Sequence, residues 1–254
     1  MSSESASLPI LYSDESYLAI NKPSGLLIHR SVIDKQETVN AVEMLQEQLG
    51  KKVYIVHRLD KPTSGVVLFA LSKEAARKGA DAFASQHVKK TYLAVVRGYA
   101  DDQGTVDSPL SDVADRLLDK RKKRNNNLRP AVTDFRRLSR IELPVMISRH
   151  PKSRYSLLEV HPQTGRMHQI RRHLKRVHNP VVGDTKHGDH KHNHYFRDHL
   201  DCPRLLLAST ELIFPHPFLE KQITITAPLD AVYISLLKRF NWQDDIPVEW
   251  ICHE

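Results

Sequence analysis

At 254 residues the chain can bury a sizeable core, either as one large domain or as two small ones. Lys and Arg number 38 against 30 Asp and Glu, giving a formal charge of +8 and a pI near 9.4, a balance that favours polyanionic partners, nucleic acid first, although surplus charge can also serve solubility alone. The cysteines Cys202 and Cys252 form no CxxC pair, MSSESASLP is neither a signal core nor an Arg-rich transit pattern, and no run approaches about 18 apolar residues; a disulfide framework, export and a membrane helix are not expected, and the reducing cytoplasm fits.

Residues 1–8 are small and polar and read as a mobile end, with order beginning near Pro9. Short apolar runs at Ile10 to Tyr12, Tyr17 to Ile20 and Val53 to Val56 predict strands, with the turn-forming NKPSG at Asn21 to Gly25 after the second. Val39, Val42, Leu45 and Leu49 make a helical stripe between a cap at Thr38 and a terminator at Gly50. The apolar strand Val66 to Leu71 leads to a second helix starting after Ser72, in the Ala-rich KEAARKGADAFASQ, which tolerates Gly79. Further strands are predicted at Thr91 to Arg97, Val132 to Leu138 and Arg154 to Val160, then a helix from Arg166 to about Val177 with Met167, Ile170 and Leu174 inward. DKRKKRNNNLRP at Asp119 to Pro130 reads as a loop, either a basic arm for phosphates or a solvated turn. Strands and helices intermix without regular alternation, so the pattern predicts an α+β fold around a mixed, mostly antiparallel sheet flanked by helices. No linker divides the chain, and residues 9–254 read as a single domain.

HRLDKPTSG, residues 57–65, sets one carboxylate, Asp60, among basic residues in a tight-turn context just before an apolar strand. Arg58 and Lys61 could attract phosphates while the carboxylate works on a sugar or base; local chemistry by itself fits an Asp that stabilises its own turn better. The segment also carries H-R-L-D-x-x-T-S-G at His57, Arg58, Leu59, Asp60, Thr63, Ser64 and Gly65. In this it resembles the RluA-type pseudouridine synthases, and the resemblance runs on through NKPSG, KKTYLAVVRG, AVTDF at Ala131 to Phe135, HPQTGRMHQIRRHL and the pair Gly183 and Asp184.

The resemblance implies the family's mixed, mostly antiparallel sheet with a catalytic cleft, and conversion of uridine to pseudouridine in structured RNA without a cofactor. It implies a catalytic domain with no S4-like accessory domain, since the pattern begins near residue 9. The region RRHLKRVHNPVVGDTKHGDHKHNHYF most resembles family members acting on uridine 65, at the base of the tRNA T stem. Asp60 is then the catalytic carboxylate, as nucleophile or as general base. Arg166 of the TGR motif is its charge partner, placed at a helix start behind a possible cap at Thr164. Tyr92 of KKTY is the aromatic that stacks on an extruded base. Taken without the resemblance, Arg166 would be an ordinary surface arginine and Tyr92 a core aromatic of a strand.

Extruding a base costs a few kcal/mol that phosphate contacts must offset. Arg30, Arg58, Lys89, Lys90, Arg171 and Lys186 are the candidate contact face. Ten of the 15 histidines lie between His150 and His199; without a Cys pair they point to an RNA-facing histidine-rich loop at 187–199 and not to a metal site. Relatives commonly carry RLxLHA where this chain reads RLLLAS, with Ala208 at the histidine position, a local change of packing or substrate contact. Structured RNA, tRNA in particular, is the expected partner of a monomer with no membrane association.

Overall fold

A computed structural model describes residues 7–29, 39–111 and 128–251. In chain order these residues form β1 (Ile10–Ser13), β2 (Tyr17–Lys22), α1 (Ala41–Leu49), β3 (Tyr54–Ile55), β4 (Ser64–Ala70), α2 (Lys73–Ala84), β5 (Lys89–Arg97), β6 (Gln103–Asp107), β7 (Leu110–Ser111), β8 (Leu128–Arg129), β9 (Val132–Leu143) and β10 (Ser153–Pro162). There follow α3 (Gln169–Arg176), α4 (His190–His199), β11 (Leu207–His216), β12 (Lys221–Thr226) and α5 (Ala231–Arg239). The fold is α+β with mostly antiparallel strands, as the intermixed pattern predicts.

The chain divides into two compact units, residues 1–89 with 209–228, and residues 90–208 with 229–254. In the first, the strand order is β1-β2-β4-β11, with β12 on β11 and β3 on β4. Its core gathers Tyr17, Val66, Leu68, Leu212 and Phe214. Leu8, within the segment read as a mobile end, is buried, and its N–H donates to Gln48 Oε1 at 2.9 Å. The cap of α1 is Asn40 Oδ1, accepting from Glu43 N at 3.1 Å, and not Thr38, which lies outside the described residues; Gly50 ends the helix as expected. On α2 the predicted cap holds, Ser72 Oγ accepting from Ala75 N at 3.1 Å. Gly79 suits that helix because a Cβ there would stand 2.9 Å from Val56 Cγ1.

In the second unit the order is β5-β10-β9-β6. Successive residues of a strand face opposite ways, so a sheet covered on both faces needs apolar runs. Strand β5 shows it: Leu93 and Val95 join a core with Tyr155, Phe196, Tyr233 and Trp242, while Ala94 and Val96 join another with Leu158, Ile170 and Leu174. Ala208 is buried in the first of these cores, so its methyl is a packing group.

Two expected features differ. The histidine-rich segment read as a loop is helix α4, capped by Asp189, whose Oδ1 accepts from Lys191 N at 3.0 Å and His192 N at 3.4 Å, with His192 and Phe196 buried. Of the basic stretch read as a loop, residues 119–127 lie outside the described residues, and Leu128–Arg129 pair as a strand with Leu110–Ser111.

Gly65, the second residue of β4, has φ +110°, and a Cβ there would lie 2.0 Å from the Ser209 carbonyl oxygen. Both the left-handed backbone and the overlap exclude a side chain. Gly65→Ala should cost about 3 kcal/mol or more, read as a lowered midpoint in chemical denaturation; an unchanged midpoint contradicts this packing.

Candidate active site

Asp60 sits half-buried in a turn whose backbone is pinned at several points, all within the first unit. Its carbonyl accepts from Thr63 N at 3.0 Å. The next two carbonyls are tied to the NKPSG turn: Lys61 O accepts from Gly25 N at 2.9 Å, and Pro62 O from Ser24 Oγ at 2.7 Å. At the centre is Lys22, 0% exposed, whose Nζ donates to the carbonyls of Pro23, Leu26 and Lys61 at 2.8, 2.9 and 3.0 Å. An ammonium has three protons, and three carbonyls receive them. The sequence shows Lys22 only as part of a turn; its signal was a lysine closing the mostly apolar run YLAINK, just before a proline.

The flanking motif residues divide between packing and exposure. His57 Nε2 accepts from Leu68 N at 3.0 Å and its ring stacks on Phe83 at 4.5 Å, so the motif's first residue anchors the turn to β4. Leu59 is buried, while Arg58 is exposed and lies close enough to His29 to help burial lower that histidine's proton affinity. Lys89 is exposed, and Arg30 lies outside the described residues.

The other predicted residues belong to the second unit. Tyr92 is half-buried, packed in part against the core of Ala94 and Val96. Lys90 is two residues before it on β5, on the same strand face; burial brings its amine down to about 8. Its charge therefore begins to be lost near neutrality.

Arg166 lies three residues before α3, and neither a helix start at Arg166 nor a cap by Thr164 is found. Thr164 Oγ1 instead accepts from Val132 N at 3.1 Å and donates to Gln169 Oε1 at 2.7 Å. The Gln169 carboxamide is buried and fully used: Oε1 also accepts from Arg166 N at 3.0 Å, and Nε2 donates to Val132 O and Thr133 Oγ1, both at 2.9 Å. Arg166 Nε donates to Pro130 O at 3.1 Å, so the residue is held at backbone and guanidinium both. His173 completes the network from α3, with Nδ1 2.9 Å from Thr133 Oγ1 and Nε2 2.9 Å from Ser108 O; its burial lowers its proton affinity.

Arg171 does not fit the phosphate contact expected of it. It is 3% exposed and makes two hydrogen bonds of 2.7 Å to the carboxylate of Asp184, which also accepts from Lys186 N and His187 N. Burial pushes the Asp184 carboxyl up, but these hydrogen bonds and the guanidinium charge outweigh it and hold it below the ordinary range. The side chain of Lys186 is exposed beside this pair. Among the histidines of 187–199, His187 Nε2 meets His168 Nδ1 at 2.8 Å and His192 Nδ1 meets the Tyr155 hydroxyl at 2.7 Å, whereas His190, His194 and His199 are exposed. Among the described residues no three His, Cys, Asp or Glu side chains converge as a metal site would need, and no helix is long and apolar enough to cross a membrane.

The Asp60 turn is thus held within the first unit, and Arg166 and Tyr92 are each held within the second. The pattern described as RNA pseudouridylate synthase matches residues 16–176, and the chain belongs to that family, whose members isomerise uridine in RNA. The chain is 45% identical over 235 residues to the tRNA pseudouridine synthase C of Vibrio vulnificus (strain CMCP6), covering 92% of this chain and 96% of that one. It is 46% identical over 240 residues to the tRNA pseudouridine synthase C of Pectobacterium carotovorum subsp. carotovorum, covering 94% of this chain but 64% of that longer protein. Among solved structures, Human RNA Pseudouridylate Synthase Domain Containing 1 superposes with a TM-score of 0.67 at 25% identity, over 89% of this chain and 87% of the other. Human RNA Pseudouridylate Synthase Domain Containing 4 has the same fold, with a TM-score of 0.68 at 24% identity, over 92% and 93%.

Lys22→Met would leave three carbonyls of the Asp60 turn without their shared donor. We expect a loss of roughly 2–4 kcal/mol in stability and amide exchange that speeds up more at Gly25 and Thr63 than in β4. Uniform exchange across the unit would show that Lys22 does not brace this turn.

Proposed function

We propose that this protein converts uridine 65 of tRNA, at the base of the T stem, to pseudouridine, acting in the cytoplasm as a monomer whose two units make up a single catalytic domain. The observation that carries tRNA as the substrate is the name shared by relatives 42–46% identical over more than nine-tenths of the chain, while position 65 rests on the resemblance in RRHLKRVHNPVVGDTKHGDHKHNHYF. The reaction is an internal rearrangement: the bond from ribose C1′ to N1 breaks, one from C1′ to C5 forms, the proton on C5 leaves and N1 gains one. Atoms and charge balance within the nucleoside, so the chemistry calls for positioned protein groups and no cofactor.

Asp60 is the catalytic carboxylate in this reading, as nucleophile or as general base. Arg166 keeps it ionised where water is scarce, and Tyr92 offers its ring to the extruded uracil. Arg58, Lys89, Lys90, Lys186 and Arg30 contribute to phosphate contact. The pinned turn around Asp60 and the Gln169 network under Arg166 support these roles, because a catalytic group must be held in place to within a fraction of an ångström.

Asp60→Asn should lower turnover of a tRNA transcript by about a thousandfold or more while RNA affinity persists; unchanged turnover removes Asp60 from the chemistry. Arg166→Met should likewise abolish turnover with little effect on affinity. Pseudouridine mapping in total RNA from cells lacking the protein should show position 65 of tRNA unmodified. Loss of a ribosomal site with tRNA unaffected would instead reject the tRNA assignment.

A further inference from the structure

Tyr99 follows β5 and is 37% exposed, an aromatic that neither core claims. Its backbone is nonetheless held on both sides by one buried hydroxyl. Ser156 Oγ accepts from Ala100 N at 3.1 Å and donates to Gly98 O at 2.9 Å, and Gly98 N donates to Arg154 O at 2.7 Å. Two guanidiniums lie over the ring, Arg140 at 5.1 Å and Arg154 at 5.0 Å from its centroid. The register explains the convergence: Arg140 pairs with Ser156 across β9 and β10, Arg154 pairs with Glu142, and all four stand on one face of the pair. Glu142 accepts from Arg154 Nε at 2.8 Å and from Lys152 Nζ at 2.6 Å, so two cations share this one carboxylate, and Arg140 stands beside them.

A guanidinium set over a ring is oriented by it and keeps its remaining N–H groups clear of the ring; Arg154 spends its Nε on Glu142, which leaves its two terminal NH2 groups for a further partner. This is the geometry for bidentate contact with a phosphate. The platform lies at the opposite end of the sheet from Tyr92. Tyr92 pairs with Val160, six residues along β10 from Arg154, which is about 20 Å at the rise of a strand. The geometry points to a second RNA-contact site here, in which Arg140 and Arg154, oriented by the Tyr99 ring, clasp backbone phosphates of the substrate well away from the reacting uridine. The inference rests on RNA as substrate; it does not depend on which RNA.

The probe is a labelled tRNA transcript, with affinity measured at several salt concentrations and turnover on the same RNA. Arg140→Gln together with Arg154→Gln should weaken binding about tenfold at moderate salt and lower the slope of log affinity against log salt by about 1.5–2, as for two lost phosphate contacts. KM should rise while kcat is kept, because neither residue meets the reacting base. Tyr99→Phe retains the ring and should bind like wild type, whereas Tyr99→Ser leaves both charges but frees them and should weaken binding severalfold. Arg140→Gln alone, at an exposed position, serves if the double variant unfolds, and should lower the slope by about 1. Unchanged slopes, or a Tyr99→Ser protein that binds as well as Tyr99→Phe, would overturn the site. If the wild-type protein binds the transcript without modifying it, the tRNA assignment fails, while the salt slopes still decide the platform.

Discussion

A buried ammonium holds the Asp60 turn in shape. Charge taken out of water costs several kcal/mol unless its hydrogen-bonding capacity is met, and Lys22 meets it with the carbonyls of Pro23, Leu26 and Lys61. Those carbonyls come from two turns distant in sequence, so the desolvation cost is recovered only when both turns adopt their native path together. The contact therefore specifies geometry more than it adds stability. With Gly65 unable to carry a Cβ against Ser209 and His57 fixed between Leu68 N and Phe83, the backbone around Asp60 has little freedom left. In the proposed role, a carboxylate on so restrained a backbone has little left to order, which is where much of the barrier in an oriented reaction is saved.

The second unit solves the same problem with neutral groups. Gln169 uses both donors and both acceptor positions on Arg166, Thr164, Val132 and Thr133, and His173 closes the chain on Ser108. A fully satisfied network of this kind admits one arrangement, since losing any member strands a buried polar group. Arg171 and Asp184 add an ion pair beneath it, on the helix that begins just after Arg166. The conformation around Arg166 thus follows from buried polar chemistry and not from a helix cap.

Much of this framework was legible in the sequence, and the failures have identifiable causes. Strands β4, β5 and β10 announce themselves as apolar runs, and α2 by Ser72 and its alanines. HRLDKPTSG is legible as a turn from its Pro, Ser and Gly, and as a functional one only through its family pattern. Thr164 looks like a cap because Thr commonly caps, but here the tertiary bond to Val132 N claims its oxygen. Helix α4 hid because HKHNHYFRDH combines poor helix formers with only two apolar side chains; the usable signal was Asp189, a capping residue just ahead of it. Arg171 could not be told from its neighbours Arg172 and Arg176 by type, since only the fold puts Asp184 in front of it.

That last point bears on how the positive charge is used. Counting lysines and arginines treats every cation as available to RNA, yet Arg171 is consumed internally by Asp184, and Lys90 begins to lose its charge as pH rises toward about 8. Arg58, Lys89 and Lys186 remain as exposed cations among the residues expected to contact phosphate. In the proposed role each such contact would change affinity by a modest, salt-dependent factor, to be set against the cost of drawing a base from a stacked helix. Cations whose orientation is already fixed bind at lower entropic cost than solvated ones. Arg140 and Arg154, set against the Tyr99 ring, meet that condition, whereas the exposed ends of Lys89 and Lys186 do not.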